Sequence, residues 1–277
     1  MEGSYRTQAL LRKHIPKERG REPRPLSIPT VRDGVVHTAT KHVIEPIFEK
    51  TFSETSFGFR PKRSNKDALR ATVEALKSGK LYVVDTNISK CFDEIPHEPL
   101  LERIGEQISD SRTMTLIGDF LKHGIMEAGE QWEPQEGTPQ GGPLSPLLAN
   151  VYLNPVDWLM HEKGYTSVRF ADDIVILCES EDALAALVHL REWMGENGLR
   201  LTPEKTRVVD MSKPKAYFEQ VDGWVRMRLR SILRKCHKGR GRGGGFDQIR
   251  WPNAYFWELG LFSLVTARDS LRSSASR

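Results

Sequence analysis

The chain has 277 residues, 38% hydrophobic and 28% charged, with a formal net charge of +4. That length allows one large domain or two smaller ones, and no apolar run approaches the roughly 20 residues of a membrane span. Cys91, Cys178 and Cys236 are odd in number and widely spaced, which argues against a disulfide framework or a cysteine zinc site and fits a reducing cytoplasm. The N-terminal segment lacks the apolar core of a signal peptide.

The charge is unevenly spread. From Asp222 onward there are 12 Lys+Arg against 4 Asp+Glu, leaving 29 against 33 in residues 1–221. A basic C-terminal segment on a neutral-to-acidic body points to a polyanion partner.

Residues 1–24 are basic and broken by Pro16, Gly20 and Pro23, and Arg24–Pro29 reads as extended between prolines. Val31, Val35, Val36, Ala39, Val43, Ile44 and Ile47 recur at spacings of three and four, predicting an amphipathic helix that Pro46 ends or kinks. A second helix is expected over 65–76, a short strand over 81–85 ending on Asp85, and helical periods over 100–108 and 114–121. Gly137 to Pro146 is a rigid loop dense in Gly and Pro, followed by a helix over 147–160 with Pro155 inside it.

Val168-Arg169-Phe170-Ala171-Asp172-Asp173-Ile174-Val175-Ile176-Leu177 reads as a β-hairpin with two acids at or beside its turn. Carboxylates held so close repel unless a cation sits between them, and few hard oxygen ligands suit Mg²⁺. Alone, such a pair is more often an ordinary turn. A helix over 181–197 and a loop feeding a strand near Val208-Val209 follow. Alternating basic and apolar residues over 224–230, a flexible basic loop over 238–245 and a final helix over 255–271 complete the chain.

The motifs occur in an order that resembles the reverse transcriptases encoded by group II introns. They are Arg24-Pro25-Leu26-Ser27-Ile28-Pro29-Thr30, Glu45-Pro46-Ile47-Phe48-Glu49, Ser56-Phe57-Gly58-Phe59-Arg60-Pro61 and Phe92-Asp93-Glu94-Ile95-Pro96-His97. The Gly137–Asn150 loop and helix start, Phe170-Ala171-Asp172-Asp173 and Glu204-Lys205-Thr206 follow, and Trp224–Arg230 is similar to the start of the maturase segment.

The resemblance implies an α+β right hand. Residues 1–80 would be a fingers-like region and 81–210 the palm with its catalytic hairpin. Residues 211–277 would be a shortened thumb remnant and a small, basic, mainly helical maturase-type domain. It implies nucleotidyl transfer with Mg²⁺ clamped by palm carboxylates, matched here by Asp172 and Asp173. By the same resemblance, Lys17 and Arg24 grip the triphosphate, Phe92 lies under the sugar, Gln140 lies near incoming nucleotide and template, and Lys205 protonates the leaving group. Trp224, Arg226, Arg228, Arg230, Arg234 and Lys235 would contact RNA through phosphates and base stacking. The implied partners are intron RNA, an RNA template with its DNA primer, and deoxynucleoside triphosphates.

Two departures stand out. Asn87 occupies the position of the family's third metal carboxylate. Asp85, the remaining candidate ligand, has the same strand parity but sits roughly 6–7 Å along the strand. Thr206 and Trp224 are separated by only 17 residues, so most of the thumb is missing. No His-Asn-His endonuclease pattern is visible. The competing expectations are an impaired RNA-directed DNA polymerase, a catalytically inactive maturase-like RNA-binding protein, and a degenerate copy.

Overall fold

Strand-forming runs build two four-stranded sheets in the computed structural model, which describes residues 5–16, 23–179 and 182–211. The first sheet contains β1 (Leu10–Ile15), β2 (Arg24–Ile28), β4 (Ile125–Glu127) and β5 (Glu130–Trp132), in the order β2-β1-β4-β5. The second contains β3 (Tyr82–Asn87), β6 (Thr166–Phe170), β7 (Asp173–Cys178) and β8 (Arg207–Asp210), in the order β6-β7-β3-β8 and wholly antiparallel.

Among the described residues there are seven α-helices: α1 (Val31–Phe48), α2 (Asn65–Lys77), the single turn α3 (Cys91–Glu94), α4 (His97–Gly105), α5 (Ser111–Leu121), α6 (Ser145–Glu162) and α7 (Ala183–Glu196). The starts of α1, α2 and α5 are marked by side-chain caps. Ser64 and Asp67 form a reciprocal capping box on α2, and the Asp110 carboxylate accepts from the Thr113 amide at 2.8 Å to open α5. Both α1 and α6 carry an internal proline, Pro46 and Pro155, and run past it.

The central strands of the second sheet are buried on both faces, so they read as near-continuous apolar runs. Val84, Ile174 and Ile176 face a core with Leu100, Ile104, Tyr152, Val156 and Leu190 from α4, α6 and α7. Val83 and Leu177 face the opposite side, against Phe57, Ala68, Leu76, Val168 and Met211. Each fully buried aliphatic or aromatic side chain contributes about 1.5–3 kcal/mol. Local hydrogen bonds shape the edges, and this apolar filling holds the sheet between its layers.

Four expectations are corrected by the fold. The apolar positions Val31, Val35, Ala39, Val43 and Ile47 of α1 point to solvent, while Asp33, His37, Thr40, Ile44 and Phe48 are buried. The inward stripe tolerates Asp33 because its carboxylate accepts from the hydroxyls of Tyr5 and Thr30, both at 2.6 Å. Pro46 does not end that helix. The basic N-terminal stretch contains a strand, β1, paired antiparallel with β2 and parallel with the distant β4. The strand expected to end at Asp85 also runs on to Asn87, which changes the site.

The sequence-predicted thumb remnant beyond residue 211 and the maturase-type segment lie outside the described residues.

Candidate active site

The turn joining β6 to β7 is Ala171-Asp172, closed by the Phe170–Asp173 pair. Ala171 takes a left-handed conformation, φ 60°, unusual for a residue with a side chain. Its surroundings hold it there. Arg169 donates to the Ala171 carbonyl at 3.1 Å, and Gly58 packs so close that a Cβ would stand 2.3 Å from the Ala171 nitrogen. Only glycine allows that approach. The Phe57 amide donates to the Arg169 carbonyl and the Arg169 amide to the Thr55 carbonyl, each at 2.9 Å, so the Ser56–Pro61 loop is stitched to β6.

Arg169 itself is buried. Its guanidinium meets both Asp157 oxygens at 2.6–3.0 Å, Asn150 Oδ1 at 2.8 Å and Ser56 Oγ at 2.9 Å. Asn150 in turn donates to the Gly58 carbonyl at 2.8 Å. Sequence reasoning missed this cluster. Its signal was the spacing of Asn150 and Asp157, seven residues apart in α6, two turns that return to one face.

Across the ladder, Asn87 is the direct partner of Asp173. Its amide donates to Asp172 Oδ2 at 2.7 Å and to Asp173 Oδ1 at 2.8 Å. Its own oxygen accepts from Lys205 Nζ at 2.9 Å and from Thr202 Oγ1 at 3.4 Å. Lys205 comes from a 3-10 turn over Pro203–Lys205, fixed to β3 by the Thr202 amide donating to the Asn87 carbonyl at 2.8 Å. Asp172, Asp173, Asn87 and Lys205 are therefore brought together. Asp85 faces Val175 on one side and Arg207 on the other, two residues removed from this cluster along β3.

Gln140 and Phe92 meet through Asp93. Gln140 Nε2 donates to Asp93 Oδ2 at 2.8 Å, and the Thr138 amide donates to the Phe92 carbonyl at 2.6 Å. Burial raises the Asp93 carboxyl above its ordinary range, with the Gln140 amide and the Arg12 guanidinium opposing. Arg12 also lies over the Trp132 ring, 5.2 Å from its centroid, and is a second cation that sequence reasoning missed. The Phe92 ring meets Phe59 edge-on at 6.1 Å, in a small cleft lined also by Cys91, Leu153, Ala171 and Asp172. The Gly-Thr-Pro-Gln loop is fastened on its other side by the Ser27 amide, 2.6 Å from the Gln140 carbonyl. Arg24 opens β2 opposite Ile15. Lys17, Trp224, Arg226, Arg228, Arg230, Arg234 and Lys235 lie outside the described residues, as does the Arg24 side chain.

Two acids on a hairpin turn, faced by a third strand and flanked by a Gly-Pro loop and an aromatic, define a polymerase-type palm. The reverse transcriptase (RNA-dependent DNA polymerase) family matches residues 15–220, and the chain belongs to that family. It is 40% identical over 156 residues to the group II intron-encoded protein LtrA of Lactococcus lactis subsp. cremoris, covering 56% of this chain and 26% of LtrA. It is 38% identical over 167 residues to YkfC of Escherichia coli K12, covering 59% and 44%. The chain thus spans less than half the length of these relatives. In fold it is similar to telomerase from Candida albicans, with a TM-score of 0.58 at 13% identity, over 76% of this chain and 44% of that one.

The family implies a divalent metal, and the residues present do not fit one. Among the described residues no three His, Cys, Asp or Glu side chains group so as to hold a metal ion. The third position is an amide whose N–H groups, not its oxygen, face the acids.

Proposed function

We propose that this chain is the reverse transcriptase portion of a group II intron-type protein. It would bind intron RNA through its basic C-terminal segment and present a palm built for RNA-directed DNA synthesis, with transfer strongly reduced by Asn87. The observation that supports this is the pairing of Asn87 with Asp173 across the ladder, in a chain matched to the reverse transcriptase family over residues 15–220.

In this reading residues 1–80 act as fingers and 81–210 as palm, although β4 and β5 join the sheet of β1 and β2. Phe92 and Gln140 border the nucleotide, with Lys17 and Arg24 as further contacts. The substrates are an RNA template, a DNA primer and deoxynucleoside triphosphates, and Mg²⁺ is the cation an Asp at position 87 would accept. Among the described residues no helix is long and apolar enough to cross a membrane, and a cytoplasmic setting suits the free, buried Cys91 and Cys178.

The same Asn87 favours a second reading, an RNA-binding maturase-type protein without polymerase activity. Primer extension on an RNA template separates the two, comparing wild type with Asn87→Asp. We expect trace extension by wild type and a gain of about 100-fold or more in the variant, since a transition-state charge clamp carries several kcal/mol. Robust wild-type extension overturns the impairment. A variant as inactive as wild type favours the maturase reading. Absence of RNA binding at low salt excludes the maturase role and, together with an inactive variant, leaves a degenerate copy.

A further inference from the structure

We infer that Asn87 and Lys205 together exclude a divalent cation from the palm: the amide occupies the cation's place between the acids, and Lys205 locks the amide in that orientation. The inference deepens the reverse transcriptase reading by assigning what fills the acid pair of this particular chain.

The first argument is occupancy. One –NH₂ group reaches Asp172 Oδ2 at 2.7 Å and Asp173 Oδ1 at 2.8 Å, so its two protons fill the space where both carboxylates converge. A Mg²⁺ ligated by the same oxygens would need contacts of about 2.0–2.1 Å, and the –NH₂ group would have to leave.

The second argument is orientation. An asparagine can turn its amide end for end, which would offer Oδ1 to a cation. Here Oδ1 accepts from Lys205 Nζ at 2.9 Å and stands 3.4 Å from Thr202 Oγ1. Turning the amide would point –NH₂ at an ammonium that has no acceptor to offer. The backbone reinforces the lock, because Asn87 is 4% exposed and its carbonyl is held by the Thr202 amide.

The third argument is charge. Two acids and a neutral amide offset two divalent ions less well than three acids. The Lys205 ammonium, one residue away through the amide, already supplies part of the countercharge. Lys205 is thus a positioning residue for Asn87.

The test uses the purified full-length chain without nucleic acid, with Mn²⁺ as a spin-active probe followed by EPR. Wild type is expected to show no saturable Mn²⁺ site over the range titrated, and Asn87→Asp a saturable one. Lys205→Met is expected to lie between them, because the freed amide can present its oxygen. Asp172→Asn in the Asn87→Asp background should abolish the gain, which places it at the palm.

A second measurement follows the wild-type protein itself. In protein labelled with [¹⁵N]asparagine, the Asn87 side-chain –NH₂ signals, identified by their absence from Asn87→Asp, should not move with Mg²⁺. The inference is overturned by saturable wild-type Mn²⁺ binding that Asp172→Asn removes, by shifted Asn87 signals, or by an Asn87→Asp variant that binds no better than wild type. A Lys205→Met variant identical to wild type overturns the lock. None of these readouts depends on RNA binding or primer extension, so this inference and the functional reading fail separately.

Discussion

Arg169 has a side chain 1% exposed, paired to Asp157 at 3%. A buried ion pair adds little against an apolar replacement, but removing one partner strands the other in a low dielectric. Arg169→Met is therefore expected to cost about 3–5 kcal/mol in denaturant unfolding, and the Arg169→Met/Asp157→Leu pair to recover most of that loss. A single variant within about 1 kcal/mol of wild type would show that the pair does not hold the turn. The sequence displayed this residue without revealing its role. An arginine beside an acidic motif reads as a surface cation, and only the fold shows Asn150, Asp157 and Ser56 converging on it. Asn87 is the opposite case. Its position in the motif order marked it as the missing acid, while the two-donor contact and the Lys205 lock depend on β3 running two residues further than its apolar run suggested.

At the scale of elements, the helices with one apolar face and marked caps were legible in the sequence, and α1 was legible only as a helix. Apolar residues occur on both its sides, so periodicity could not choose the buried face. The buried side carries Ile44 and Phe48 into the core, with His37 beside them, its ring 4.1 Å from Phe120 and stacked on His123 at 5.4 Å between centroids. β1, β4 and β5 were missed because three-residue strands carry no alternation to read, and β1 pairs with a partner more than a hundred residues away. The buried histidines have a consequence. Burial, reinforced by the nearby His123 charge and opposed by Asp33, lowers the His37 pKa to about 4. Burial likewise lowers His123, against Asp33 and Asp119. Both histidines bind protons more readily unfolded, so their contribution to stability is complete above the unfolded pKa near 6.5 and is lost as pH falls toward 4. Urea midpoints should drop between about pH 6.5 and pH 4, with His37 accounting for up to about 3 kcal/mol by pH 4. Asp33 is held below the usual carboxylate range by the Thr30 and Tyr5 hydroxyls against its own desolvation, so its contribution fails in a lower, separate window. His37→Leu should flatten the slope in the histidine window, and an unchanged slope would assign the pH dependence elsewhere.

Across the whole molecule, the order of motifs made the palm legible, since acids from β7 and its turn must meet the end of β3 in any antiparallel sheet that pairs them. The charge pattern points to a different activity from the one the palm implies. Residues 1–221 are net acidic, so long-range attraction for a polyanion resides in the basic segment from Asp222 onward. If that segment carries the RNA affinity, binding and nucleotidyl transfer are separable in this chain, and a protein with a metal-excluding palm can still hold RNA. Replacing Arg226, Arg228 and Arg230 together by Ala should reduce the slope of log K against log salt by about 2–3, from roughly 0.7–0.9 per lost phosphate contact. Filter binding to a structured intron RNA over roughly 50–200 mM salt reads that slope directly. Asn87→Asp should leave it unchanged while altering primer extension. A triple variant with the wild-type slope would remove these three arginines from the RNA contacts, and Arg234 with Lys235, then Arg12 beside Trp132, would be the next residues to replace.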